Sequence, residues 1–260
     1  MKQTVIAFTL LLVSLGAFAQ TVHKYKYIAA SYQPQYTIRL SGDNTNKWGD
    51  SLTIREKNRR GYTVFLQFQR QVGKNLLLQT GIQYTNTGFI KTVSNLNYKT
   101  KIHPDMEELD QTIQTVPEPK ADLHYVFDYI DIPVLFNRQV YLSQTSSKHW
   151  SYYTTFGFSL NFLLQDRVNV QLRGFTMDNK RIFNLQNTYL ASQFFNMTLH
   201  GGFRADYEYS NKMGFFTQPV INIPVLPATR GNLSYRFLSG GVNVGVYFNL
   251  DIKGEEVITE

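Results

Sequence analysis

Chemistry in this chain of 260 residues would begin with its five histidines, His23, His103, His124, His149 and His200. His103 with Asp105, or His124 with Asp122 and Asp128, would set an imidazole beside a carboxylate, the pairing that acid–base work in a hydrolase requires. Neither pair sits in a recognisable motif, so solvated loop charges account for both and no catalytic residue is assigned. The chain has no Cys, which removes disulfides, thiolate zinc sites and cysteine nucleophiles. The acidic run Asp105, Glu107, Glu108, Asp110, Glu118 and Asp122 lacks the ligand spacing of a calcium loop, as do Asp43, Asn44 and Asn46 before Trp48. No metal and no cofactor are expected.

A second group has the spacing of a strand. His200, Arg204, Asp206 and Glu208 recur at intervals of two and four, which places them on one face. By the same parity Arg39 and Asp131 point to that side. If the face is the inside of a narrow barrel, these six form a polar lumen network, because charges held away from water must be paired. A proton or ion pathway is the functional alternative. Eight strands leave an interior about wide enough for side chains alone, so a general porin is excluded.

The elements that would position these residues are strands. The composition is rich in rings, with 17 Tyr and 19 Phe against 2 Trp, and such residues favour pleated sheet. The formal charge of +7 is scattered among acids, without the compact basic stripe of a nucleic-acid binder.

Residues 1–19 read as an export signal: Lys2, an apolar run from Val5 to Leu15, then Ala17-Phe18-Ala19 as the cleavage site. The run is too short for a spanning helix. The domain plan is therefore a cleaved signal peptide at 1–19, a barrel over 20–250 and a short periplasmic tail over 251–260.

The mature chain divides into eight segments in which apolar residues alternate with polar or small ones. They run from Tyr27 to Leu40, Tyr62 to Gln69, Leu76 to Thr85, Val126 to Val140, Trp150 to Leu164, Phe195 to Tyr209, Phe215 to Val225 and Ser239 to Leu250. Pro34, Pro133, Pro219 and Pro224 interrupt them, and proline removes a ladder hydrogen bond. Several segments exceed the five or six residues usual in soluble sheets and match a tilted strand crossing a bilayer, which needs roughly 9 to 11. Short connections around 72–75 and 210–213 alternate with long stretches at 41–60, 90–125, 165–194 and 226–235, an outer-membrane pattern. The expected fold is all-β, an eight-stranded antiparallel up-and-down transmembrane β-barrel of a Gram-negative outer membrane. Alternation alone leaves a periplasmic lipocalin-like carrier as the rival, with apolar residues inside and polar ones outside. The uncharged polar face of Gln67, Gln69, Gln79, Gln83, Ser159, Asn161 and Asn243 favours the lumen of a membrane barrel.

Tyr129-Ile130-Asp131-Ile132-Pro133-Val134-Leu135-Phe136 resembles the tyrosine, acidic residue, isoleucine-proline strand of the PorT-like outer-membrane β-barrel family. Phe156-Gly157-Phe158-Ser159-Leu160 and Gly240-Gly241-Val242-Asn243-Val244-Gly245 fit the same family, over about residues 25 to 250. The resemblance implies fold and location, and a link to secretion through one branch of the family. The expected function is a non-enzymatic envelope scaffold or interaction protein, monomeric, in contact with outer-membrane lipid and with an envelope or secretion-complex protein. The alternatives are an outer-membrane hydrolase using loop His and Asp residues, and the lipocalin-like carrier.

Overall fold

Long strands that alternate apolar and polar residues leave open edges unless the sheet closes, and eight of the strands close into a ring. In a computed structural model, the structure describes residues 26–41, 53–73, 75–94, 96, 103, 120–142, 150–173, 181–186, 191–210, 212–229 and 235–250. The signal peptide expected at 1–19 and the tail expected at 251–260 lie outside the described residues, as do Asp43, Asn44, Asn46, Trp48 and Asp105.

The strands are β1 (Lys26–Ser41), β2 (Thr53–Gly73), β3 (Leu76–Ser94), β4 (Lys120–Leu142), β5 (Trp150–Arg173), β6 (Arg181–Gln186), β7 (Phe195–Ser210), β8 (Met213–Pro224) and β9 (Tyr235–Asn249). The ladder runs β4-β3-β2-β1-β9-β8-β7-β5, and a β4–β5 pairing closes it into an eight-membered ring. All of these pairings are antiparallel. Strand β6 stands outside the ring and pairs with the upper part of β5, Arg167 to Leu172. The short connections β2–β3 and β7–β8 lie at one end, here the turn end, with the β4–β5 connection; the long ones lie at the other, the loop end.

The faces decide between the two barrel readings. Ile28, Tyr32, Val64, Leu66, Ile82, Phe156, Leu199, Phe203, Ile221 and Val244 point outward, Leu66 62% and Phe203 66% exposed. Gln33, Gln67, Gln69, Gln79, Asn137, Ser159, Gln218 and Asn243 point inward and are buried. An apolar exterior round a polar interior suits hydrocarbon outside, so the lipocalin-like alternative is overturned. Tyr32, Tyr62 and Tyr84 form a row on the outer surface with neighbouring rings 6.1 Å apart. Trp150, Tyr152 and Tyr207 form another towards the turn end, so the apolar belt lies between two aromatic bands.

Pro224 is the last residue of β8, whereas the other three prolines do not end the strands they interrupt. Pro34, Pro133 and Pro219 each sit opposite a partner on one side, Tyr62, Ser159 and Val242. On the other side the ladder skips a step, towards β9, β3 and β7 respectively. A residue with no N–H to donate is tolerated where the ladder is already open. Gly81 lies across from the gap at Pro133, with φ +153°, and a side chain there would run into the Leu66 carbonyl.

Four strands also run past the limits expected from alternation. β2 starts within the stretch 41–60, β3 ends and β4 begins within 90–125, and β5 continues to Arg173. Irregularities at Asn58/Tyr62 and Asp128/Tyr129 mark the change. Opposite the second, Leu164 is the extra residue of a bulge, since Tyr129 pairs with Leu163 while Asp128 pairs with Gln165. A bulge shifts side-chain parity by one, so the alternation read below it no longer applies above it. Beyond Leu164 the inward residues become Val168, Val170 and Leu172. The upper parts of β2 to β5, with β6, thus form a wall that rises past the ends of β1, β7, β8 and β9.

Candidate functional site

The lumen is filled in three tiers. At the turn end Arg204 on β7 is 1% exposed. Its Nε and Nη2 donate to the two carboxylate oxygens of Asp206, at 2.6 and 3.0 Å. It also donates to Gln79 Oε1 at 3.2 Å and Gln69 Oε1 at 3.1 Å, and stacks over the Phe216 ring at 4.2 Å. The network continues from Gln69 through Gln67 to Ser31. From Gln79 it continues through Asn137, Thr155 and Gln218 to Asn243. One hydrogen-bonded network therefore touches all eight ring strands. The bidentate guanidinium–carboxylate pair at its centre is the arrangement that makes a buried charge tolerable.

The middle tier is centred on Asp131, 1% exposed. Its Oδ2 accepts from Thr85 at 2.5 Å and Gln83 at 3.0 Å, and its Oδ1 from Asn161 at 2.7 Å. Asn161 Oδ1 accepts from Thr198, and its amide also donates to Ser159. His200 Nε2 lies 2.9 Å from Ser159 Oγ and its Nδ1 2.8 Å from Asn222 Oδ1. Asn222 Nδ2 donates to Ser239, which donates to Gln35. These residues surround a cavity of about 60 Å³. At roughly 10–15 Å³ of such space per water, it holds a few waters and no larger ligand.

The upper tier is apolar. Phe89, Tyr125, Phe127, Tyr235 and Phe237 pack with Val93, Leu96, Leu123, Val168, Val170 and Leu172 into one buried cluster. Phe89 stacks on Tyr125 with ring centres 4.5 Å apart, and Phe127 meets Phe237 at 5.0 Å. Arg39 covers this plug, its guanidinium 4.8 Å from the centre of Phe89 and 4.4 Å from that of Tyr235, paired with Glu56.

The six residues expected to share one network are thus divided. Arg204 and Asp206 form the turn-end centre, and Asp131 and His200 belong to the middle tier. Arg39 faces inward but belongs to the loop-end cap. Glu208 is exposed because it lies at the turn-end rim, where the lumen opens, beside a ladder irregularity between Glu208 and Ser210.

Of the hydrolase alternative, the His103–Asp105 pair lies outside the described residues at Asp105, and no hydrogen bond joins His124 to Asp122 or Asp128. His103 is buried with its ring centre 6.0 Å from that of Tyr125. Asp122 accepts from Thr92 at 2.7 Å and pairs with Arg173 at 2.8 Å. Asp128 accepts from Tyr84 and Asn86 and pairs with Arg167 at 2.7 Å. Asp122 lies within electrostatic reach of His124, but its hydrogen bond and its ion pair go to Thr92 and Arg173, and those of Asp128 go to Tyr84, Asn86 and Arg167. Among the described residues no cluster of His, Asp and Glu has the makings of a metal site.

Alternation could not reveal a different set: Ser159, His200 and Asn222 have the hydrogen-bond order of a serine nucleophile, its base and an orienting amide. They come from β5, β7 and β8, and nothing in the sequence signals that they meet. Ser159 is 0% exposed and its hydroxyl is already engaged by Asn161 and His200, beside a cavity too small for an acyl substrate. The set packs the lumen.

No family model and no curated protein matches the chain, so the PorT-like resemblance rests on the motifs quoted for it. Among solved structures, the chain is similar to Neisserial surface protein A at 12% identity and a TM-score of 0.43, covering 86% of this chain and 96% of that one. It is also similar to Ail, the attachment invasion locus protein of Yersinia pestis, at 7% identity and a TM-score of 0.37, covering 87% of this chain and 100% of that one. A third is the outer membrane protein OprG from Pseudomonas aeruginosa, at 10% identity and a TM-score of 0.38, covering 86% of this chain and 92% of that one.

Proposed function

We propose that this chain is a non-enzymatic barrel of the outer membrane that acts as an envelope scaffold or interaction protein, with the projecting wall of β2 to β6 as its working surface. The observation that carries this reading is the filled lumen: among the described residues two polar tiers and an apolar plug occupy it, around a cavity of about 60 Å³. A barrel whose described interior is packed in this way acts through its surfaces. Binding surfaces are commonly mounted on rigid scaffolds, and the wall is sheet continued from the ring.

Two measurements test the reading. In planar bilayers the purified protein is expected to pass no current, and a steady conductance that changes in Arg204→Ala would replace the scaffold with a channel. In cells, a photocrosslinking residue at Gln171 on the wall is expected to capture an envelope protein that the same residue at Arg138 on the turn-end rim does not. Capture at neither position removes the interaction role. The finer reading, a partner within a secretion complex, is supported by the motif resemblance, and capture of proteins unconnected with secretion would end it.

A further inference from the structure

Where the wall leaves the apolar belt, its outer surface carries three cations, two of them without an acid of their own. Arg60 is exposed and stands opposite Tyr36, which is itself 49% exposed on the outer face. Glu56 turns inward to Arg39, so its neighbour Lys57 turns outward, where it is exposed opposite Ile90. Arg59 is half-buried between them: its Nη1 donates to the Thr87 carbonyl at 3.1 Å, and its charge lies within reach of Asp128, Arg167, Tyr62 and Tyr84. Both nearby carboxylates are committed, Asp128 to Tyr84, Asn86 and Arg167, and Asp122 to Thr92 and Arg173. Among the described residues neither Lys57 nor Arg60 has an ion-pair partner.

Directly beside this patch runs the Tyr32–Tyr62–Tyr84 row, which marks the edge of the hydrocarbon. The cations therefore sit at headgroup depth, next to a surface already covered by acyl chains. We propose that Lys57, Arg59 and Arg60 form a docking site for the phosphate of a lipid in the leaflet at the loop end, whose chains lie against the belt below. This rests on the membrane placement proposed above. Charge and position select the occupant together: a soluble anion would use the charge alone, whereas a phosphorylated lipid uses the charge and the adjoining apolar surface. Arg59, held in place by Thr87, supplies a fixed planar donor, and Lys57 and Arg60 supply mobile ones.

The test is native mass spectrometry of the purified full-length protein after incubation with an equimolar mixture of phosphatidylcholine and diphosphoryl lipid A. The wild-type protein is expected to keep lipid A in preference to phosphatidylcholine. Lys57→Gln/Arg60→Gln, which alters only exposed side chains, is expected to lower lipid A retention roughly tenfold. Adding Arg59→Gln is expected to remove the preference. Arg70→Gln/Arg138→Gln, an exposed pair at the opposite rim, is expected to change nothing. Retention in the loop-end variants equal to wild type overturns the site, and so does an equal loss in the turn-end pair, which would show adsorption to overall charge. Electrophoresis with and without boiling runs alongside. A wild-type chain with no heat-modifiable mobility removes the membrane reading, whereas a normal shift with unchanged lipid retention removes the docking site alone.

Discussion

The two ends of this barrel are closed by opposite means. At the turn end one guanidinium, Arg204, ties the wall together through directional hydrogen bonds to Asp206, Gln69 and Gln79. At the loop end a cluster of rings and aliphatic side chains does so without direction, with Phe89, Tyr125, Phe127 and Phe237 at its centre. The difference teaches what each kind of closure tolerates. A polar centre depends on every partner, because a donor or carboxylate left alone in the lumen bears the full cost of its desolvation. An apolar plug loses stability in proportion to the volume removed.

The strongest test of that contrast is Arg204→Met, which leaves the Asp206 carboxylate buried without its partner. A loss of about 3–5 kcal/mol is expected on the scale of broken buried pairs, read as a lower urea midpoint for the heat-modifiable form. Arg204→Met/Asp206→Leu removes both charges and is expected to recover much of that loss. If the double variant is no better than the single one, the charge pair is not what makes the turn end sensitive. Phe89→Ala comes next, at about 3 kcal/mol, with no double variant expected to rescue it. Gly81→Ala probes neither closure and is expected to cost at least about 1–3 kcal/mol, from the positive φ together with the close Leu66 carbonyl. The smallest effect concerns chemistry: a fluorophosphonate reagent is expected to leave Ser159 unlabelled, in the wild type as in His200→Ala. A label lost on changing Ser159 would revive the hydrolase reading at a site sequence reasoning did not name.

Alternation made all eight ring strands legible, and with them the two faces. Glutamines such as Gln67 and Gln69 identified the lumen because a solvated face would have carried charges instead. The wall was not legible. Above the bulge at Leu164 the inward residues are Val168, Val170 and Leu172, so a reader keeping the lower parity finds the pattern broken and writes a loop. That shift concealed the share of the plug that β5 supplies; Phe89, Tyr125 and Phe127 keep the inward parity of their strands but are apolar where the lower lumen is polar, and a separate irregularity at Asn58/Tyr62 concealed the cationic patch beside Arg59. Parity gave the face of the lumen residues but not their depth, since it cannot tell that Glu208 lies where the lumen opens. Which residues share a tier depends on the stagger between strands, which is a property of the pairing and leaves no mark within any single segment.

The reach of Arg204 bears on the order in which the barrel is made. Its partners Gln79 and Gln69 lie 125 and 135 positions earlier in the chain. The first strands can form a curved sheet, and the last strands another, yet the guanidinium reaches both amides only when the two sheets meet across the lumen. Loop-closure entropy opposes that meeting until it is complete. A half-assembled sheet consequently exposes an arginine and a row of glutamines to an environment that cannot solvate them, and the final seam joins with the reward of the entire turn-end network at once. The turn-end network around Arg204 thus rewards the fully closed ring over every partial one.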